Sequence, residues 1–148
     1  MAEKKAAHRT TATKGFTADE RAAMKERALE LKAAASKEDG EKAVLAKIAE
    51  MPKADRVMAE RFHAIVTASA PDLLPRTWYG MPAYANANGK VVVAFKNAGK
   101  FSLRYSTLEF QDAANLDEGD LWPVSYAIGK WSPEVEKRVA GLVEAAVS

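Results

Sequence analysis

PRTWYGMPAYANANGKVVVAFKNAGKFSLRYS, running from Pro75 to Ser106, holds nearly every strong strand and turn signal in the chain. Lys90 to Phe95 is a β-branched run. Lys100 to Ser106 alternates strictly, with Phe101, Leu103 and Tyr105 on one side and Ser102, Arg104 and Ser106 on the other. Such period-two alternation is the pattern of a half-buried strand. Asn88-Gly89 suits a tight hairpin turn because both residues tolerate positive φ, and Asn97-Ala98-Gly99 suits a three-residue loop with glycine in the left-handed position. Gly80 and Pro82 predict a bend before a first strand at Ala83 to Ala87. The spacing therefore predicts a meander of three strands here.

Downstream, Thr107 to Gly119 is less regular, with Leu108, Phe110 and Leu116 placed for a short helix or a compact loop. Trp122, Val124, Tyr126 and Ile128 then alternate and predict a fourth strand. Ser132-Pro133-Glu134 is a helix start with proline at the first helical position. Val135, Val139, Leu142, Val143 and Ala146 follow at helical spacing, which makes this the cleanest amphipathic helix in the chain.

Upstream, Thr17-Ala-Asp-Glu20 is a capping box opening a helix to about Ala35, whose stripe of Met24, Ala28, Leu31 and Ala35 is narrow and mostly alanine. Asp39 can cap a second helix to about Met51, with Val44, Ile48 and Met51 on one face. Pro52 ends it. A third helix, Lys53 to Ala70, carries Val57, Met58, Phe62, Ile65 and Val66 on one stripe and is expected to lie on the sheet. His63 sits beside that stripe and has Thr67, not an acid or a histidine, at i+4, so it reads as a boundary residue.

At 148 residues and 48% hydrophobic, the chain is long enough for one core and too short for two ordinary domains. It has no cysteine, which excludes disulfides, thiolate metal sites and a thiol nucleophile and fits a reducing, cytoplasmic setting. No stretch approaches the ~20 apolar residues a membrane span needs, and the opening residues have no apolar signal region. Met1 to Gly15 holds Lys4, Lys5, Arg9 and Lys14 against Glu3 alone, so the formal net charge of +2 originates in a basic tail. Without interleaved aromatics that tail reads as solvated and disordered, not as a nucleic-acid contact. The expected organisation is thus a tail at 1–15, a helical extension at 16–52, and an α+β domain at 53–148. In that domain a four-stranded antiparallel meander carries helices on one face. Its other face is expected to present Val92, Ala94, Lys96, Ser102, Arg104 and Ser106.

Trp78-Tyr79-Gly80-Met81-Pro82-Ala83-Tyr84, then Gly89-Lys90-Val91-Val92, then Lys100-Phe101-Ser102-Leu103-Arg104-Tyr105 and the closing strand and helix resemble the YdhG-like family of bacterial domains of unknown function. The Tyr-Gly-Met-Pro-Ala-Tyr element is the most specific part. The likeness runs from about Val57 to the C-terminus, and the helices before Pro52 resemble an extension seen in some members. It implies a small α+β fold likened to frataxin and, for some relatives, a role as an iron chaperone with iron-sulfur assembly proteins as partners. It carries no agreed set of functional residues.

Two sites follow from the residues themselves. Between Arg104 and Lys130 there are five acids, Glu109, Asp112, Asp117, Glu118 and Asp120, and no base. Clustered carboxylates suit labile binding of a hard cation, iron being the one the resemblance implies, and no tightly bound cofactor. The alternative is a small-ligand or peptide site at the aromatic bend, Trp78, Tyr79, Met81 and Tyr84, with Arg104 as charge anchor. No nucleophile with a base, glycine-rich phosphate loop or Gly-x-Ser-x-Gly is present, so the expectation is a binding protein without catalysis, a monomer or weak homodimer.

Overall fold

The computed structural model describes residues 16–33 and 36–148; the basic tail expected at 1–15 lies outside the described residues. The fold is α+β, with five helices among the described residues and one antiparallel sheet of five strands in sequential order. Helix α1 spans Ala18–Ala33, α2 Lys37–Ala49 and α3 Lys53–Ser69. Strands β1 (Leu74–Trp78), β2 (Met81–Ala85) and β3 (Val91–Lys96) lead to a single helical turn, α4 (Ala98–Phe101). Strands β4 (Ser106–Phe110) and β5 (Ser125–Ile128) and helix α5 (Pro133–Ala146) complete the chain.

The helix starts follow local chemistry. The Thr17 hydroxyl accepts from the Glu20 amide at 3.0 Å, Ser36 from Asp39 at 3.1 Å and Ser132 from Val135 at 3.2 Å, each satisfying an amide that has no intrahelical partner. Ser36, not Asp39, is therefore the cap of α2.

The four-strand expectation is corrected to five. Pro75 obscured β1 in the sequence, yet β1 is an edge strand, where a missing N–H costs no ladder bond. Trp78 pairs with Met81, so Tyr79-Gly80 is a two-residue hairpin loop instead of a bend, and β2 starts two residues before the expected Ala83. In the next hairpin the Gly89 amide donates to the Asn86 carbonyl and the Asn86 amide to Lys90, leaving Ala87 to Gly89 as a three-residue loop with Gly89 at φ 80°.

The larger correction concerns Lys100 to Ser106. Its alternation is not a strand. The chain coils at Ala98–Phe101, passes Ser102 at φ 54° and becomes extended only at Ser106. Leu103 and Tyr105 are exposed, and only Phe101 is half-buried. The coil is fixed from a distance: Asp55 of α3 accepts from the Gly99 amide at 2.9 Å and from Asn97 Nδ2 at 3.3 Å, and the Ser106 hydroxyl accepts from the Ala98 amide. The strand that pairs with β3 lies instead in the stretch read as irregular, with Phe95 opposite Leu108 and Val93 opposite Phe110.

Those residues put Tyr84, Val93, Phe95, Leu108, Phe110 and Ile128 on the helix side of the sheet, against Phe62, Ile65 and Val66 of α3 and Val139 and Val143 of α5. Phe62, wholly buried, meets Tyr84 edge-on at 5.6 Å and stacks on Phe95 at 6.2 Å. Val44 and Ile48 of α2 and Met51, two residues past its end, belong to the same cluster, so the segment before Pro52 contributes to the core. Helix α2 also lies along β1, with Gly40 against the Pro75 carbonyl. The opposite face is small and shallow. It carries Met81, Ala83 and Ala94 beneath Trp78 and Phe101. Of the residues expected there, Ala94 shares that face, as does Lys96, whose ammonium lies over the Phe101 ring. Ser106 is buried opposite Ile128 on the helix side, Val92 joins the helix-side cluster, and Ser102 and Arg104 are exposed in the loop before β4.

Candidate functional site

The β1–β2 turn is where the chain gathers charge. Tyr79 and Gly80 have φ of 50° and 74°, the left-handed pair that a two-residue hairpin of the right twist requires. This turns both amides outward on one side. They close on a single carboxylate: Glu30 of α1 accepts from the Tyr79 amide at 3.2 Å and the Gly80 amide at 2.7 Å, and is only 3% exposed. The Arg27 guanidinium lies 3.5 Å from Glu30 and 4.6 Å from the centre of the Tyr79 ring. A bidentate, charge-assisted contact of this kind is among the stronger hydrogen-bond arrangements in proteins.

One turn earlier on α1, Glu26 reaches the same place. Lys47 of α2 approaches its Oε1 at 2.6 Å and Lys100 of α4 at 3.5 Å, with Lys100 lying over Gly80. The Lys47 hydrogen bond, joined by the Lys100 charge, outweighs partial burial and holds the Glu26 carboxyl below its usual range. Partial burial works against the Lys47 ammonium, but the Glu26 hydrogen bond and charge, with Glu50 behind them, hold it above its usual range. Beside this cluster is a cavity of about 280 Å³ lined by Lys47, Glu50, Met51, Pro52, Gly80, Asn97, Gly99 and Lys100. A wider groove of about 790 Å³ runs between α1 and α2, over Ala43, Ala46 and Thr77.

Compared with known proteins, the chain matches no family model, no curated protein and no solved structure.

The residues expected at the aromatic bend divide. Trp78, Tyr79 and Met81 stay together on the hairpin, with the Trp78 and Tyr79 rings 5.1 Å apart. Tyr84 lies on the helix side, 1% exposed, its hydroxyl 2.8 Å from His63 Nδ1. Burial, with a smaller contribution from Glu41, pushes its phenol far above the usual value. Arg104 is exposed in the loop before β4, its guanidinium 5.1 Å from the Tyr105 ring. Of the five acids, Glu109 is on β4 and accepts the Thr107 hydroxyl at 2.9 Å. Asp112, Asp117, Glu118 and Asp120 are exposed along the connection to β5. Among the described residues there is no group of three or more histidines and acids placed to hold a metal ion.

The cluster at the turn was missed because its members come from α1, α2, the hairpin and α4. One signal was available. Glu26 and Glu30 are like charges at i and i+4, a pair that weakens an isolated helix. Such a pair is explained when each carboxylate has a partner outside the helix.

Proposed function

We propose that this chain is a binding protein for a small acidic ligand, a carboxylate or a phosphate, held without catalysis beside the Tyr79-Gly80 hairpin. One observation carries the reading: two ammonium groups on separate elements, Lys47 and Lys100, converge on one carboxylate oxygen next to a cavity whose wall includes Gly80 and Gly99. Small-ligand sites combine a recess with a few convergent polar groups in this way. The hairpin amides beside it already grip a second carboxylate.

Amide resonances followed during a titration with glutarate or inorganic phosphate test the reading. Gly80, Gly99 and Lys100 are expected to shift in a saturable manner. The Lys47→Ala/Lys100→Ala variant, having lost two charge-assisted contacts, is expected to bind about tenfold more weakly or worse. Saturable binding that the double variant leaves unchanged refutes the site. The labile-iron role that the YdhG-like resemblance implies is separated by the same spectra: ferrous iron acting there moves Glu109, Asp112, Asp117, Glu118 and Asp120 and leaves Gly80 in place.

A further inference from the structure

Glu26 and Glu30 together place two carboxylates, one helical turn apart, on the groups that the ligand reading assigns to an anion. Among the described side chains, what holds α1 there is this polar contact. Among its described apolar side chains Met24 is 55% exposed and Leu29 59% exposed, and none of the described side chains of α1, residues 18–30, belongs to either hydrophobic cluster. By contrast α2 contributes Val44 and Ile48 to the core, and the chain just past it Met51. A helix fixed by hydrogen bonds and ion pairs over little apolar area is one that a competing anion can displace, since burial supplies little of its docking energy.

We propose that α1 is a built-in ligand mimic that closes the anion site, and that the ligand which opens it is a small dianion. The inference rests on the anion-binding reading above and adds the size and charge of the ligand and the coupling to α1. The receptor has two halves. The Tyr79 and Gly80 amides take one negative group in place of Glu30, and the Lys47 and Lys100 ammonium groups take the other in place of Glu26. Side chains at i and i+4 of a helix stand about 6 Å apart at their Cβ atoms, which sets the scale of the separation between the two anionic groups. A dicarboxylate with a three-carbon spacer meets that scale, and a monoanion fills only one half. Binding and α1 docking are then mutually exclusive, and the observed affinity is lowered by the fraction of molecules in which α1 is closed.

The test uses glutarate, with acetate as the monoanion control, against the full chain and its Glu26→Gln/Glu30→Gln variant. Glutarate is expected to bind the variant at least tenfold more tightly than the unchanged chain and to be preferred over acetate by both. In the unchanged chain, saturating glutarate is expected to speed hydrogen exchange at the α1 amides while the Tyr79 and Gly80 amides stay protected. That measurement needs no variant. Equal affinity of the two chains for glutarate, or α1 exchange that glutarate leaves unaltered, overturns the mimic and leaves the anion site standing. Equal affinity for acetate and glutarate overturns the dianion assignment. Failure of both chains to bind either acid overturns the site and the mimic together.

Discussion

Tyr84 and His63 show how a residue's setting departs from what its neighbours in sequence suggest. Read along its helix, His63 has neither an acid nor a histidine at i+4. In space it lies between the Tyr84 hydroxyl at 2.8 Å and Glu41 at 3.3 Å, partners 21 and 22 positions away. Tyr84→Phe removes the hydroxyl and leaves Nδ1 without its partner, and is expected to cost about 1 kcal/mol, read as a lower denaturation midpoint at unchanged m-value. Gly80 is constrained differently. At φ 74° an L side chain is strained, and a methyl there also meets the Lys100 ammonium group and Glu26. Gly80→Ala is expected to lose about 1–2 kcal/mol and to loosen α1 as well, measured by denaturation and by exchange at the α1 amides. The turn itself was partly legible, since glycine marked the bend. Tyr79 at positive φ was not, because few side chains accept that conformation without a compensating contact, here Arg27 and Trp78.

At the scale of elements, amphipathic helices were the most readable. The stripe of α5, that of α3 apart from its exposed Val57, and Val44 and Ile48 of α2 with Met51 just past its end appear in the core as their spacing predicts, because burial of one helical face is a local pattern with a global cause. Strand limits were less readable. Lys100 to Ser106 alternates as well as any strand here, but Asp55, 44 positions before Gly99, captures its amide and converts the approach into a helical turn. No period within the segment reports a partner that distant. Likewise α2 packs on β1 through Gly40, where the helix comes so close to the Pro75 carbonyl that a methyl group would overlap it. This contact covers a free sheet edge, which otherwise presents unpaired groups to other chains. Gly40→Ala pushes backbone against backbone, so relief requires moving α2 away from β1. The expected loss is about 1–3 kcal/mol, the usual range for overpacking, checked by thermal denaturation together with aggregation of the uncovered edge.

Across the whole molecule, stability is distributed unevenly, and the site lies on the boundary. The sheet, α2, α3 and α5 share one core, while α1 joins them through Glu26 and Glu30. Its docking therefore responds to pH on its own. Glu26 is held below its ordinary value of 4.5, so its contribution is complete above that pH and is lost as pH falls through the lower value it has in the folded chain. Lys47 is held above its ordinary value of 10.5, so its contribution is complete below that pH and is lost as pH rises through the higher folded value. The Glu26–Lys47 contact is thus strongest between those limits. Acidification below pH 4.5 is expected to raise exchange at the α1 amides before the amides of β3 and α3 lose protection, since Phe62, Val93 and Phe95 are buried without a titratable group of their own. Salt acts on the same contact. Glu26 and Lys47 are each about one-third or one-quarter exposed, at 33% and 26%, so raising ionic strength screens them and is expected to loosen α1 with little effect on the core. Simultaneous loss of protection in α1 and β3 on acidification would make α1 part of one cooperative unit, and a helix bound that tightly to the core cannot yield its place to a competing anion.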